Sequence, residues 1–88
     1  MNILHMKYAV EVSRLGSLNK PADALFIAQP NISRSIKELE SHLGITIFDR
    51  SAKGMVLTPE GEEFISYAQS IFLFIQKDIN LHLWIKNL

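Results

Sequence analysis

One short stretch of the chain combines side chains that could read nucleobases. Gln29, Ser33 and Arg34 supply an amide, a hydroxyl and a guanidinium, which are groups that hydrogen-bond to base edges in the major groove of DNA. Beside them runs an apolar stripe at i, i+4, i+7 and i+11, made of Ile32, Ile36, Leu39 and Leu43. Because one face is apolar and the first turn is polar, the pattern predicts a recognition helix over residues 30–43.

The ends of this helix are marked by residues with special backbone preferences. Pro30 suits the first helical position, where its missing N–H would be unpaired anyway. Gly44 suits the left-handed position that ends a helix. Two helices are predicted upstream to support it, and the first spans about Asn2 to Arg14, with Leu4, Tyr8, Val12 and Ala9 on its buried face and Gly16 as its C-cap.

The second helix is short and is predicted to run as far as Phe26. Pro21 fits the first turn of a helix but not its interior. Asn19 is therefore expected to be the N-cap in preference to Ser17, which would place the proline one residue too deep. The helix is expected to bury its apolar side chains, Ala22, Leu25 and Phe26.

Beyond Gly44 the apolar period changes from 3.6 to 2, which is typical of strands. Residues 45–48 and 55–57 are predicted to form two short strands. The polar turn between them, residues 49–54, carries Arg50 and Lys53. Two short strands around a basic turn predict a wing.

Thr58-Pro59-Glu60 predicts the start of a last helix, with a threonine cap, proline at the first position and acids in the first turns. No glycine or proline follows Gly61, so this helix is expected to run to the chain end and to reach about 40 Å at 1.5 Å per residue. Its apolar side chains then favour a homodimer, although packing within its own domain or on a membrane surface are alternatives. The expected dimer contacts are Phe72, Ile75, Ile79 and Leu83.

Composition limits the class of protein. The chain has 88 residues, of which 48% are hydrophobic and 20% charged, and it has no cysteine. These values exclude a disordered chain, disulfides and zinc–thiolate sites. The net charge is zero, but residues 1–59 carry seven basic and five acidic side chains. The modest basic excess therefore lies in the part of the chain that holds the first three predicted helices and the wing. With no recognisable leader or long apolar run, a cytoplasmic protein without membrane contact is expected.

Enzymatic chemistry is not expected. The chain has no thiol, no glycine-rich phosphate loop and no recognisable Ser/His/Asp arrangement. His5, His42 and His82 do not have metal-ligand spacing. No catalytic residue, metal or cofactor is therefore predicted.

The ordered motifs of residues 3–70 resemble the N-terminal DNA-binding domains of LysR-type transcriptional regulators. The resemblance is specific because many motifs occur at fixed spacing. They are Gly16-Ser17-Leu18, Ala22 with Leu25, Gln29-Pro30, Ile32-Ser33-Arg34, Ile36, Leu39-Glu40, Leu43-Gly44, Phe48-Asp49-Arg50 and Leu57-Thr58-Pro59-Glu60-Gly61.

The resemblance implies a mainly α fold, in which three helices and a two-stranded wing form a winged helix-turn-helix over residues 1–58. A linker helix over residues 59–88 would pair two subunits. It further implies a homodimer that binds operator DNA and regulates transcription. A small-molecule effector would act only through a further domain that these residues do not contain.

Each site residue has an expected role beside a simpler alternative. The residues expected to contact bases are Gln29, Pro30, Asn31, Ser33 and Arg34. The alternatives are a capping role for Gln29, a bond from Ser33 back to its own helix, and an ion pair between Arg34 and Glu38.

Phosphate and wing contacts are expected from basic and hydroxyl side chains around that tip, namely Ser17, Lys20, Lys37, Arg50 and Lys53. For Arg50 the alternative is a brace within the wing, through Asp49 or Glu40. For the whole chain, the rival function is a winged-helix protein-interaction module whose apolar last helix docks on another protein. A folded remnant without independent activity is a third possibility.

Overall fold

The computed structural model describes the backbone of residues 2–51 and 53–86, and the side-chain surroundings of the same residues as far as Ile75. Within that part the chain forms four helices and a two-stranded antiparallel sheet, which confirms the predicted fold class. In chain order the elements are α1 (Ile3–Leu15), α2 (Asn19–Leu25), α3 (Gln29–Leu43), β1 (Phe48–Asp49), β2 (Val56–Leu57) and α4 (Pro59–Lys86).

Helix α1 is closed at both ends by side-chain and backbone hydrogen bonds. The Asn2 side chain accepts from the backbone N–H groups of Leu4 and His5 at 2.8 and 3.3 Å. At the other end Gly16 has φ +69° and donates to the carbonyl of Val12, so the predicted glycine cap is confirmed. The prediction of Leu4 as a core residue is wrong, because the first turn of α1 lies at the edge of the core and leaves Leu4 54% exposed.

Helix α2 begins and ends one residue away from the prediction. Leu18 occupies the cap position and Asn19 is already helical, so the choice of Asn19 as cap is wrong. The Ser17 hydroxyl instead accepts from the backbone N–H of Lys20 at 3.4 Å. Pro21 is the third helical residue and is buried, a first-turn position that needs no intrahelical N–H donor.

Phe26 is the largest departure from the predicted core. It adopts the left-handed conformation, φ +56°, and its N–H donates to the carbonyl oxygens of Ala22 and Asp23. This turn reverses the chain and directs Ile27 toward the core in its place. The ring of Phe26 is consequently 95% exposed.

Helix α3 begins at Gln29, so Pro30 is its second residue and not its first. Ile32, Ile36 and Leu39 are buried to 1% exposure or less, which confirms most of the predicted apolar stripe. Leu43 is partly buried against the same core. Gly44 ends the helix with φ +70° and donates to the carbonyl of Glu40.

The sheet is shorter than the predicted strands. Only Phe48 pairs with Leu57 and Asp49 with Val56. Before β1, the carboxylate of Glu40 accepts from the backbone N–H groups of Ile47 and Phe48, at 2.7 and 3.2 Å. Because one carboxylate oxygen of α3 accepts both bonds, the segment leading into β1 is held in place without a strand partner.

Helix α4 is anchored by its first turns and extends away from the domain. The Thr58 hydroxyl accepts from the N–H of Gly61 at 2.9 Å and donates to the carbonyl of Thr46. Ile65 and Ala68 join the core. The 28-residue helix accounts for a longest dimension of 52 Å, against 26 and 20 Å across.

Candidate nucleic-acid interface

The first residues of α3 have exposed side chains, whereas the opposite face of the helix is buried in the core. Gln29, Pro30, Asn31 and Arg34 are all exposed, whereas Ile32 between them is fully buried. Because Ile32 fixes the rotation of the helix, the polar side chains of the first turn point away from the core. The structure thus places four of the five predicted base-contacting residues on one accessible surface, which we call the α3 tip.

Ser33, the fifth residue, is half-buried and is held by the wing. Its hydroxyl oxygen accepts from Arg50 Nη1 at 2.5 Å, and its backbone carbonyl accepts from Arg50 Nη2 at 3.4 Å. The bond from Ser33 back to its own helix, considered from the sequence, is not formed among the described residues. The Ser33 hydroxyl is therefore oriented by a residue 17 positions away.

The alternative partners suggested for Arg50 are otherwise engaged. Glu40 accepts from Ile47 and Phe48. Asp49 accepts from the hydroxyl and the N–H of Ser51, at 2.5 and 2.9 Å. These two bonds, the hydroxyl first, hold the pKa of Asp49 below its usual range. A brace through Asp49 or Glu40 is therefore wrong, and the brace runs to Ser33.

A cleft of about 340 Å³ lies between the α2 start, the α3 tip and the wing. It brings together three of the predicted site residues, Ser17, Gln29 and Arg50. Sequence reasoning missed Asn19 as a member of this cleft because it assigned that residue to capping. The remaining lining residues are Leu18, Gly54 and Met55.

Three of the cations expected to contact phosphates are not among the residues that line this cleft. Lys20 is exposed on α2, Lys37 is exposed on α3 and Lys53 is exposed in the wing. None of the three takes part in an ion pair among the described residues. Arg34 likewise has no such pair there, and Oε2 of Glu38 lies 4.0 Å from Nδ1 of His5.

The wing turn is packed closely on the domain. Gly54 has φ +86°, and a Cβ added there would lie 3.2 Å from the carbonyl oxygen of Gly16. Arg50 and Gly54 therefore tie the two ends of the wing turn to α3 and to the α1–α2 turn.

The apolar surface of α4 differs in detail from the predicted set. Phe72 is half-buried against the core, with the ammonium of Lys7 5.6 Å from its ring centroid. Ile75 is half-buried, and the side chains of Ile79 and Leu83 lie outside the described residues. The exposed apolar side chains that the prediction omitted are Tyr67 at 63%, Leu73 at 64% and Phe74 at 66%, with Ile71 at 43%.

Two other kinds of site are absent from the described part of the chain. No group of three histidine, acidic or cysteine side chains there could hold a metal ion. Within the same residues, no helix combines the length and apolarity that crossing a bilayer requires.

Comparison with known proteins places this geometry in a family. Residues 3–62 match the model of the bacterial regulatory helix-turn-helix proteins of the lysR family. The Bacillus subtilis HTH-type transcriptional regulator YcgK is 48% identical over 71 residues, which are 81% of this chain and 22% of that protein. BenM of Acinetobacter baylyi is 37% identical over 81 residues, 92% of this chain and 27% of that protein. The chain thus spans about a quarter of the length of these curated relatives.

Solved structures agree with the sequence relatives. A crystal structure of the BenM DBD in complex with catB site 1 DNA superimposes with a TM-score of 0.92 and 36% identity, covering 97% of this chain and 94% of that one. The CbnR DBD–DNA complex gives 0.88 and 28%, covering 97% and 98%. Both share the winged helix-turn-helix and the long helix that follows it. The chain therefore belongs to the lysR family of bacterial regulatory helix-turn-helix proteins.

Proposed function

We propose that this chain is a sequence-specific DNA-binding domain of a transcriptional regulator, which binds operator DNA as a homodimer. The observation that carries the proposal is the α3 tip, where exposed Gln29, Asn31 and Arg34 stand on a helix whose opposite face is buried. The similarity to two structures of family members in complex with DNA supports it.

In this proposal, the α3 tip makes the contacts that read the bases. Gln29 can donate to N7 and accept from N6 of adenine, and Arg34 can donate to O6 and N7 of guanine. Pro30 offers an apolar surface to a thymine methyl group. Asn31 and the Ser33 hydroxyl supply further hydrogen bonds. Because the buried stripe holds the helix rigidly, these groups reach the groove without a folding cost.

Contacts to the sugar–phosphate backbone fall to the surrounding residues. They position the domain on the duplex without reading sequence, and they are Ser17, Lys20, Lys37, Arg50 and Lys53. The exposure of the three lysines supports this role. The net charge of zero is compatible with it, since the acids of residues 60–63 lie on α4 and not at the tip.

We assign dimerisation to the linker segment 59–88, which contains α4, with Phe72, Ile75, Ile79 and Leu83 as the proposed contacts. Support comes from the exposed apolar side chains Tyr67, Leu73 and Phe74 on the same helix. A second copy would cover this surface. Two copies would then place their α3 tips in successive major grooves, about 34 Å apart, and their wings at the flanking minor grooves.

At the level of the whole protein, we propose a cytoplasmic regulator. Any small-molecule effector would act through a domain outside these residues. The similarity to YcgK and BenM, which are both HTH-type transcriptional regulators, supports this proposal.

The test is DNA binding by the purified 88-residue chain. The probes are a duplex selected by the wild-type chain from a random 20-base-pair library and a scrambled duplex of equal length. Binding to the selected duplex should weaken steeply as salt rises. Light scattering should give about twice the 10.0 kDa chain mass.

Two substitutions separate base reading from phosphate contact. Arg34→Ala should cost about 1–3 kcal/mol on the selected duplex and relax base preference, whereas Lys53→Ala should weaken both duplexes alike. A monomer that selects no duplex would contradict the proposal and favour the protein-interaction module.

A further inference from the structure

Arg50 connects the wing to the helix tip through two hydrogen bonds to one residue. Its Nη1 and Nη2 atoms donate to the hydroxyl oxygen and the carbonyl oxygen of Ser33, at 2.5 and 3.4 Å. Both residues are half-buried. The two bonds use the planar fork of the guanidinium, which fixes direction as well as distance.

These bonds determine what Ser33 can still offer. A serine hydroxyl has one donor and two acceptor lone pairs. Arg50 occupies one lone pair, and with it the rotation about the Cβ–Oγ bond is restricted. The hydroxyl proton, which has no acceptor among the described residues, is then free to donate outward from the first turns of α3.

The wing segment that carries Arg50 is packed against the rest of the domain. Arg50 follows directly on β1, whose Phe48 is 2% exposed. Further along the turn, Gly54 approaches the carbonyl of Gly16 closely. Carboxylates that could compete for the guanidinium are engaged elsewhere, Asp49 by Ser51 and Glu40 by the backbone before and within β1.

We propose that Arg50 is a positioning residue for base readout, which orients the Ser33 hydroxyl toward DNA and couples the position of the wing to the α3 tip. The inference rests on the proposed DNA-binding function and deepens it. Ser33 donates to a base edge, and Arg50 acts through Ser33. The remaining N–H groups of Arg50 stay available for a backbone contact.

The experiment compares base preferences by selection from the random 20-base-pair library, using the wild-type chain and three variants. Ser33→Ala should relax preference at one half-site position. Arg50→Ala should relax the same position and lower affinity for the selected duplex about tenfold. The double variant Ser33→Ala/Arg50→Ala should relax that position no further than Ser33→Ala alone, because the path through Ser33 is already lost.

Arg50→Lys guards against loss of the wing. It keeps the charge but lacks the fork, so it should relax the same base position while it lowers the affinity for the scrambled duplex less than Arg50→Ala does. Lys53→Ala is the matched wing control and should weaken both duplexes without changing base preference. Circular dichroism should show wild-type helix content in every variant that is compared.

The outcomes separate the inference from the proposed function. If Arg50→Ala and Arg50→Lys leave the selected base pattern unchanged and only weaken all duplexes alike, Arg50 is a phosphate contact and the inference is wrong. If the double variant relaxes a second position, Arg50 reads DNA itself and the inference is also wrong. If the wild-type chain selects no duplex, the proposed function fails as well.

Discussion

Helices α3 and α4 each carry a proline in the first turn, but their N-terminal ends differ in capping and in charge. The cap position of α3 is Ala28, which supplies no side-chain hydrogen bond, and its first turn has no acid. At α4 the Thr58 hydroxyl accepts from the N–H of Gly61, and Glu60 and Glu62 occupy the first turn. The partial positive charge of a helix N-terminus is thus compensated within the protein at α4 and left open at α3.

This difference is consistent with a structural role for the N-terminus of α4 and with the proposed DNA-binding role for the N-terminus of α3. Acids in the first turn stabilise α4, and the turn is packed on the domain through Gly61, which is buried. At α3 the first three residues, Gln29, Pro30 and Asn31, are exposed and uncharged, which favours the approach of anionic groups such as DNA phosphates. The comparison predicts that equivalent substitutions at the two ends have different effects.

The largest effect is expected from a substitution at the third residue of α4, for which the third residue of α3 is the matched control. In α4 an added Cβ at Gly61 would lie 2.1 Å from the backbone oxygen of Ile47. Gly61→Ala should therefore lower the free energy of unfolding by about 3 kcal/mol, because α4 must move off the domain. The matched variant Asn31→Ala, in the exposed third position of α3, should change it by less than about 0.5 kcal/mol. Urea unfolding followed by circular dichroism measures both, and equal losses would contradict the comparison.

Giving α3 an acid like those of α4 should weaken DNA binding. Asn31→Asp adds a negative charge at the α3 tip and should weaken binding to the selected duplex by about 1–3 kcal/mol. The same charge should raise stability by about 0.3–1 kcal/mol through the helix dipole. Fluorescence anisotropy and urea unfolding give the two values. The reverse change at α4, Glu60→Gln, should lose a few tenths of a kcal/mol in stability and leave DNA affinity unchanged.

Removing the cap of α4 should affect stability alone. Thr58→Val keeps the shape of the side chain but loses the hydroxyl that bonds Gly61 and the backbone before β1. A loss of about 1–2 kcal/mol is expected, with the folded fraction binding DNA as before. Thr46→Val is the control, because Thr46 contributes only its backbone carbonyl to this contact and the substitution keeps that group. Thermal unfolding should give this variant a free energy of unfolding within about 0.5 kcal/mol of the wild type.

The smallest effect concerns the turn that leads into α3. Phe26 is 95% exposed and left-handed, a conformation that is unfavourable for a bulky residue. Phe26→Gly should raise the free energy of unfolding by up to about 1 kcal/mol, because glycine adopts this conformation without strain and little buried area is lost. Urea unfolding measures the change.

Gly44→Ala tests the same conformation in the opposite direction. Its Cβ would meet nothing within 4 Å, so a loss of about 1 kcal/mol would be purely conformational.

Features that depend on neighbouring residues were predictable from the sequence. The glycine caps at Gly16 and Gly44 and the threonine cap at Thr58 follow from local backbone and hydrogen-bonding preferences, and all three are confirmed. The buried stripe of α3 follows from its period. The wing was also predicted, although the paired segment is shorter than the apolar runs.

Features that depend on which surface covers a residue were not predictable. Leu4 and Phe26 have apolar side chains at suitable spacing, yet both are exposed. Periodicity identifies a face, but it does not show where the packing partners of that face end. Phe26 adopts the left-handed conformation after α2, although no glycine there signals such a turn, and Ile27 packs against the core in its place.

Residues close together in the chain encode the order of the elements and the start and end of most helices, and they also suggest which side chains could contact DNA. Packing of the helices and the wing brings Arg50 to Ser33, Glu40 to the segment entering β1 and Gly54 to Gly16. These pairs are separated by seven to 38 residues. Partners at such distances in the chain are chosen by how helices and wing pack together, and no local preference encodes that choice.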